Sequence, residues 1–130
     1  MENTVTQYLN KIGSGTDREA LTAALKEMAT ALNTQALVSA GLVIKAGGGT
    51  LAKNGALYRA IVGGRMLSIA ANTDMPALTG LAITANYFNV ACFFVNSSGT
   101  VTASFGTEAA SAGAVKFPNF PLGQALVGYL

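Results

Sequence analysis

Apolar residues recur at helical spacing over the first part of the chain and at strand spacing over the rest. Leu21, Leu25, Met28 and Leu32 follow one another at intervals of four, three and four. That places them on one stripe of a helix, with Lys26 and Glu27 off it. Ahead of the stripe, Thr16-Asp-Arg-Glu19 has the capping-box form, in which a threonine side chain and a glutamate three residues on satisfy each other's backbone amides, so a helix is expected to start near Asp17. A shorter stripe, Val5, Leu9 and Ile12 with Tyr8 beside it, precedes the break at Gly13-Ser-Gly15 and suggests a small helical arm or hairpin. Two heptads fall short of the three or four that mark an independent coiled coil. Both stripes therefore pack either on the β domain of their own chain or between chains.

From Gly41 the pattern changes to short β-rich runs divided by glycine and polar residues. Leu42-Val-Ile-Lys-Ala46 ends at Gly47-Gly-Gly49. In Ala56–Val62 the side chains alternate, Leu57, Arg59 and Ile61 on one face and Tyr58, Ala60 and Val62 on the other. Gly63-Gly64 then leads into Arg65–Ala70, a tight hairpin whose paired glycines accept the positive φ such turns require. A second hairpin joins Asn86–Val95 to Thr100–Phe105 through Asn96-Ser-Ser-Gly99, and Gly106 closes it. Residues 107–121 read as a surface loop, and Gln124–Leu130 as a final strand. Strands this short, with turn signals every ten or so residues and no helical crossover between them, predict an antiparallel β-sandwich or barrel preceded by a short N-terminal helical arm. The division expected is a helical arm over 1–40 and an antiparallel β domain over 41–130.

Charge changes the picture. A chain of 130 residues can bury roughly two thirds of the surface its unfolded form exposes, enough for one compact domain with a modest appendage. Only 11% of its residues are charged, against about a quarter in an average soluble protein. The mean hydropathy is +0.42, and beyond Gly41 the charges are Lys45, Lys53, Arg59, Arg65, Asp74, Glu108 and Lys116. A membrane is not the expected cover, because no run approaches the roughly twenty apolar residues of a spanning helix. Self-association is: obligate oligomers hide apolar surface between subunits. A net charge of +2 from scattered basic residues indicates no nucleic-acid partner. The start, Met1-Glu-Asn-Thr4, lacks the basic and apolar segments of a signal peptide, so residence in a cytoplasm is expected.

Candidate chemistry is sparse. With no histidine and one cysteine, Cys92, the chain has neither an activated serine nor the ligand set of a zinc or iron–sulfur site, and Cys92 in Asn89–Val95 reads as a small core residue. Beyond Gly41 the only carboxylates are Asp74 and Glu108, read as solvated loop charges rather than an acid/base pair. Ala46-Gly-Gly-Gly-Thr-Leu-Ala-Lys53 lacks the spacing of a phosphate-binding loop and reads as a β turn, and Asn96-Ser-Ser98 reads as turn chemistry rather than a glycosylation site. No catalytic, cofactor-binding or metal-binding residue is expected. Arg59 and Arg65 either pair across an interface or mark the solvent face of a sheet.

The order of signals from Lys53 onward resembles tailed-bacteriophage virion proteins of the capsid decoration or head-fibre type. The matching pieces are Ala56-Leu-Tyr-Arg-Ala60, Met66-Leu-Ser-Ile69, Leu78-Thr-Gly80, Asn96-Ser-Ser-Gly-Thr-Val-Thr102, and a proline-containing loop leading into Leu126-Val-Gly-Tyr129. The resemblance implies a β-rich, commonly trimeric module, made in the host bacterial cytoplasm and carried on the capsid surface of the virion. It further implies attachment to the major capsid protein through the N-terminal segment, where Val5, Tyr8, Leu9 and Ile12 are the candidates. Leu21, Leu25, Met28, Leu32, Arg59 and Arg65 are the candidates for self-association. Such proteins often continue past the strand matching Ala125–Leu130, so this chain is either a short natural form or the ordered part of a longer product. The rival class is a receptor- or carbohydrate-binding module of a tail fibre or adhesin, with Tyr58, Tyr87 and Phe88 as contact residues. Under either reading the apolar strands should have protein on both faces, some of it from another chain.

Overall fold

A computed structural model describes residues 15–45 and 52–130 of the chain. The fold is mainly β and antiparallel, with one long helix ahead of the strands. Helix α1, Gly15–Leu32, carries the apolar stripe from Leu21 to Leu32 that the sequence predicts. At its C-terminal end the Gln35 side chain donates to the Leu32 carbonyl at 3.0 Å, supplying one of the partners that the last turn of a helix lacks.

Among the described residues eight strands follow: β1 Gln35–Val38, β2 Leu42–Ile44, β3 Ala52–Asn54, β4 Tyr58–Val62, β5 Arg65–Ile69, β6 Ala91–Val95, β7 Val101–Phe105 and β8 Ala125–Tyr129. They form two three-stranded sheets, ordered β1-β4-β5 and β7-β6-β8, and the small pair β2-β3. The β4–β5 hairpin turns on Gly63 and Gly64, at φ 59° and 78°, a conformation that costs glycine nothing and side-chain-bearing residues about a kcal/mol or more.

The two larger sheets face each other. Tyr58, Ala60 and Val62 of β4, Phe93 and Val95 of β6, and Ala125 and Val127 of β8 make one buried cluster, as the period-two alternation of β4 requires. Leu42, Leu67, Ile69, Val101 and Ala103 pack at its margins. Strand β6 is buried at all five positions, because its second face is covered as well. On that side Val90, Cys92 and Phe94 form a smaller cluster under Val115 and Leu126, and Phe120 sets its ring edge-on to Phe94 at 5.2 Å. The loop after β7 is thus a lid on the outer face of the sheet. It turns away at Gly106, where an added Cβ would stand 2.2 Å from the Lys116 carbonyl oxygen.

Three sequence expectations change here. Residues 35–38, read as part of the helical arm over 1–40, form a strand that pairs with β4 in an irregular register. Residues 52–54, read with the preceding glycines as a turn, form β3 and pair with β2. Of the run Asn86–Val95 only Ala91–Val95 is strand. Phe88 instead makes a single bridge to Ala109.

Candidate functional site

Asp74, Glu108 and Cys92 are each engaged by a neighbour or enclosed in the fold. Asp74 forms an ion pair with Lys45, both side chains close to half exposed, an arrangement worth at most about 1 kcal/mol. Glu108 accepts from the Thr84 backbone amide at 2.9 Å and from the Thr84 hydroxyl at 2.6 Å, and these bonds hold its carboxyl below the usual range. The two carboxylates thus answer to different partners. Cys92 is fully buried, and burial pushes its thiol up, away from the thiolate that a nucleophile needs. Among the described residues no group of three or more His, Cys, Asp and Glu could hold a metal ion.

Two buried side chains, Tyr58 and Asn54, donate to backbone carbonyls. Tyr58, one of the sugar-contact candidates, is fully buried, and its hydroxyl donates to the Leu126 carbonyl; that candidate is withdrawn, because the alternation of β4 turns it into the core. Asn54 is also fully buried. Its side-chain amide donates to the carbonyls of Ala56, Ile69 and Ala70 at 3.0, 3.3 and 2.7 Å, pinning the turn after β5 to the end of β3.

What the surface offers instead is apolar. Met28 and Leu32 of α1 are 60% and 70% exposed while Leu21 and Leu25 are partly buried, so among the described residues the C-terminal half of the stripe is left without cover. Its flanks at Thr22, Ala24, Ala29 and Ala31 are small and uncharged, which would let another helix approach closely. Arg59 lies opposite Val38 and Ser68, and Arg65 opposite Val62 at the hairpin turn. Both are exposed, on the solvent side of the β1-β4-β5 sheet and at its end. Among the described residues neither has an ion-pair partner. The candidates Val5, Tyr8, Leu9 and Ile12 lie outside the described residues, as does the glycine run at 46–50.

A second apolar surface escaped the sequence reading. Over the outer face of β7-β6-β8, Phe117 and Tyr129 meet edge to face at 5.4 Å, and with Phe88, Val90, Val115 and Leu130 they line an open cleft of about 240 Å³. Tyr87 and Phe88, named as contact residues, are exposed beside it. The available signal was Phe117-Pro-Asn-Phe120 in a loop without a neighbouring acid, an aromatic density unusual for solvated loop. No helix among the described residues is long and apolar enough to cross a membrane. Comparison with protein-family models, with curated proteins and with solved structures finds no match.

Proposed function

We propose that the protein is a non-enzymatic structural subunit of a tailed-phage virion, a homotrimeric capsid decoration, cement or head-fibre protein held on the major capsid protein by its N-terminal segment. The observation that carries the self-associating part of this reading is α1. In proteins most helical stability comes from packing an apolar face rather than from helix propensity. Among the described residues the end of the α1 stripe, Met28 and Leu32, stands exposed. A second copy supplies the cover, and repeated copies on a symmetric shell add avidity without a tight single contact. The phage assignment rests on the order of sequence pieces from Lys53 to Tyr129.

The test is to mix purified protein with undecorated capsids and pellet them. The protein is expected in the pellet, and a chain lacking residues 1–15 in the supernatant. Full-length protein that stays in solution overturns the attachment role. The alternative, a receptor- or carbohydrate-binding module of a tail fibre or adhesin, draws on the exposure of Tyr87 and Phe88. Hits on a glycan array without capsid binding would favour it.

A further inference from the structure

We infer that the aromatic outer face of the β7-β6-β8 sheet is a second self-association surface, covered by the same face of another copy. The inference rests on the self-associating reading above and adds to it where, besides α1, the copies meet.

The face is built in two layers. The lower layer, Val90, Cys92 and Phe94, is already dry beneath the chain's own lid. The upper layer is not. Phe88, Phe117, Phe120 and Tyr129 are 51%, 52%, 58% and 59% exposed, although each is held in place. Phe120 stands on Phe94 and Phe117 against Tyr129, while Phe88 exchanges backbone hydrogen bonds of 2.8 and 3.0 Å with Ala109. Rings fixed in this way lose little freedom when a partner covers them, which is the property that makes aromatic anchors effective.

The area fits a subunit interface. An aromatic side chain presents roughly 150–250 Å², so four rings more than half exposed, with the edges of Tyr87 and Leu130, amount to about 500 Å². Some two thirds of a homodimer interface is apolar. This face is therefore the apolar centre of an interface near the roughly 800 Å² per partner of a stable complex.

Charge decides the occupant. Between residues 85 and 130 the only charged side chains are Glu108 and Lys116, one of each sign, on the arm where Thr107 bridges to Lys116. A symmetric pairing of two identical faces brings together two uncharged centres and one acid and one base on each side. No net like charge is set against itself. A strongly charged partner would find little here to pair with, whereas a second copy brings an equally apolar face with one charged side chain of each sign.

The experiment uses the full chain. Solution mass is measured by light scattering over a range of micromolar concentrations for wild type and for the double variant Phe117→Glu, Tyr129→Glu. In parallel, Phe117→Cys is treated with a short bismaleimide, with wild type, whose Cys92 is buried, as the control. A lower mass for the double variant at every concentration and a covalent dimer of Phe117→Cys are the expected results. If the double variant is misfolded by circular dichroism, the cross-link decides. Wild-type mass for the double variant, or no covalent dimer beyond control, overturns this face while leaving assembly through α1 standing. A monomeric wild type overturns both.

Discussion

The hydroxyl of Tyr58 in β4 donates to the carbonyl oxygen of Leu126 in β8 at 2.8 Å, across 68 residues of sequence. It is a polar tie between the two facing sheets, made inside a cluster that is otherwise apolar. Burial, which disfavours the phenolate, pushes the Tyr58 hydroxyl up from 10.0 to about 12.

Removing this tie is expected to destabilise the fold modestly. Tyr58→Phe keeps the ring and leaves the Leu126 carbonyl without this donor, for about 1–2 kcal/mol and a fall of a few degrees in the melting temperature. An unchanged melting temperature would show that water or a rearranged strand replaces the hydroxyl without loss.

The same residue predicts an alkaline limit. Below pH 10 Tyr58 is neutral in both folded and unfolded chains, so its contribution is fully present. Between about 10 and 12 the unfolded tyrosine ionises while the folded one resists, and stability falls by on the order of 2–3 kcal/mol. Urea titrations at intervals across that range should show the loss in wild type and a shallower slope in Tyr58→Phe.

Asn54 makes a sharper case. Its amide donates to three backbone carbonyls, while its own oxygen is buried without a partner. Asn54→Ala strands the carbonyls for about 2–3 kcal/mol. Asn54→Asp turns a carboxylate toward those same oxygens and is expected to be worse than alanine. The order of the two urea midpoints is the check, and equal midpoints would refute the donor role.

Phe93 and Phe120 separate core from surface. Phe93 is fully buried between the sheets, and Phe93→Ala should cost about 3–5 kcal/mol through the cavity it leaves. Phe120, more than half exposed and touching Phe94 by a ring edge, should cost no more than about 1.5 kcal/mol as Phe120→Ala in the dissociated chain. Chemical denaturation at low protein concentration measures both.

Helix α1 links folding to assembly. If its stripe is covered by other copies, Leu25→Glu with Met28→Glu should lower the solution mass and leave the β-sheet signal intact, and the helical signal of wild type should decline on dilution. Helicity independent of concentration would mean that the chain itself covers the helix.

Much of this fold was legible because periodicity and turn chemistry act locally. The stripe from Leu21 to Leu32, the alternation in β4, the glycine pair at 63–64 and the Asn96–Gly99 turn each announce their element. In that last turn the Asn96 side chain accepts from the amides of Ser98 and Thr100 at 3.0 Å, which is the self-bonding that residue type suggests. The charge-poor composition likewise pointed to exposed apolar side chains, of which Met28, Leu32, Phe117 and Phe120 are examples.

Tertiary structure decided the rest. Strand β1 is four residues long and β3 three; segments so short carry no period of their own and exist because β4 and β2 offer them hydrogen-bonding edges. The two-sided apolar run in β6 suggested a neighbouring chain on its second face, yet the chain's own loop with Phe120 and Val115 covers it, since a lid from distant sequence leaves no local trace. Hydrophobicity along the chain determined which side chains gain by burial. Only the packing of the two sheets, the lid and α1 decided that Tyr58 and Phe93 are buried, while Leu32, Phe117 and Tyr129 are left at the surface.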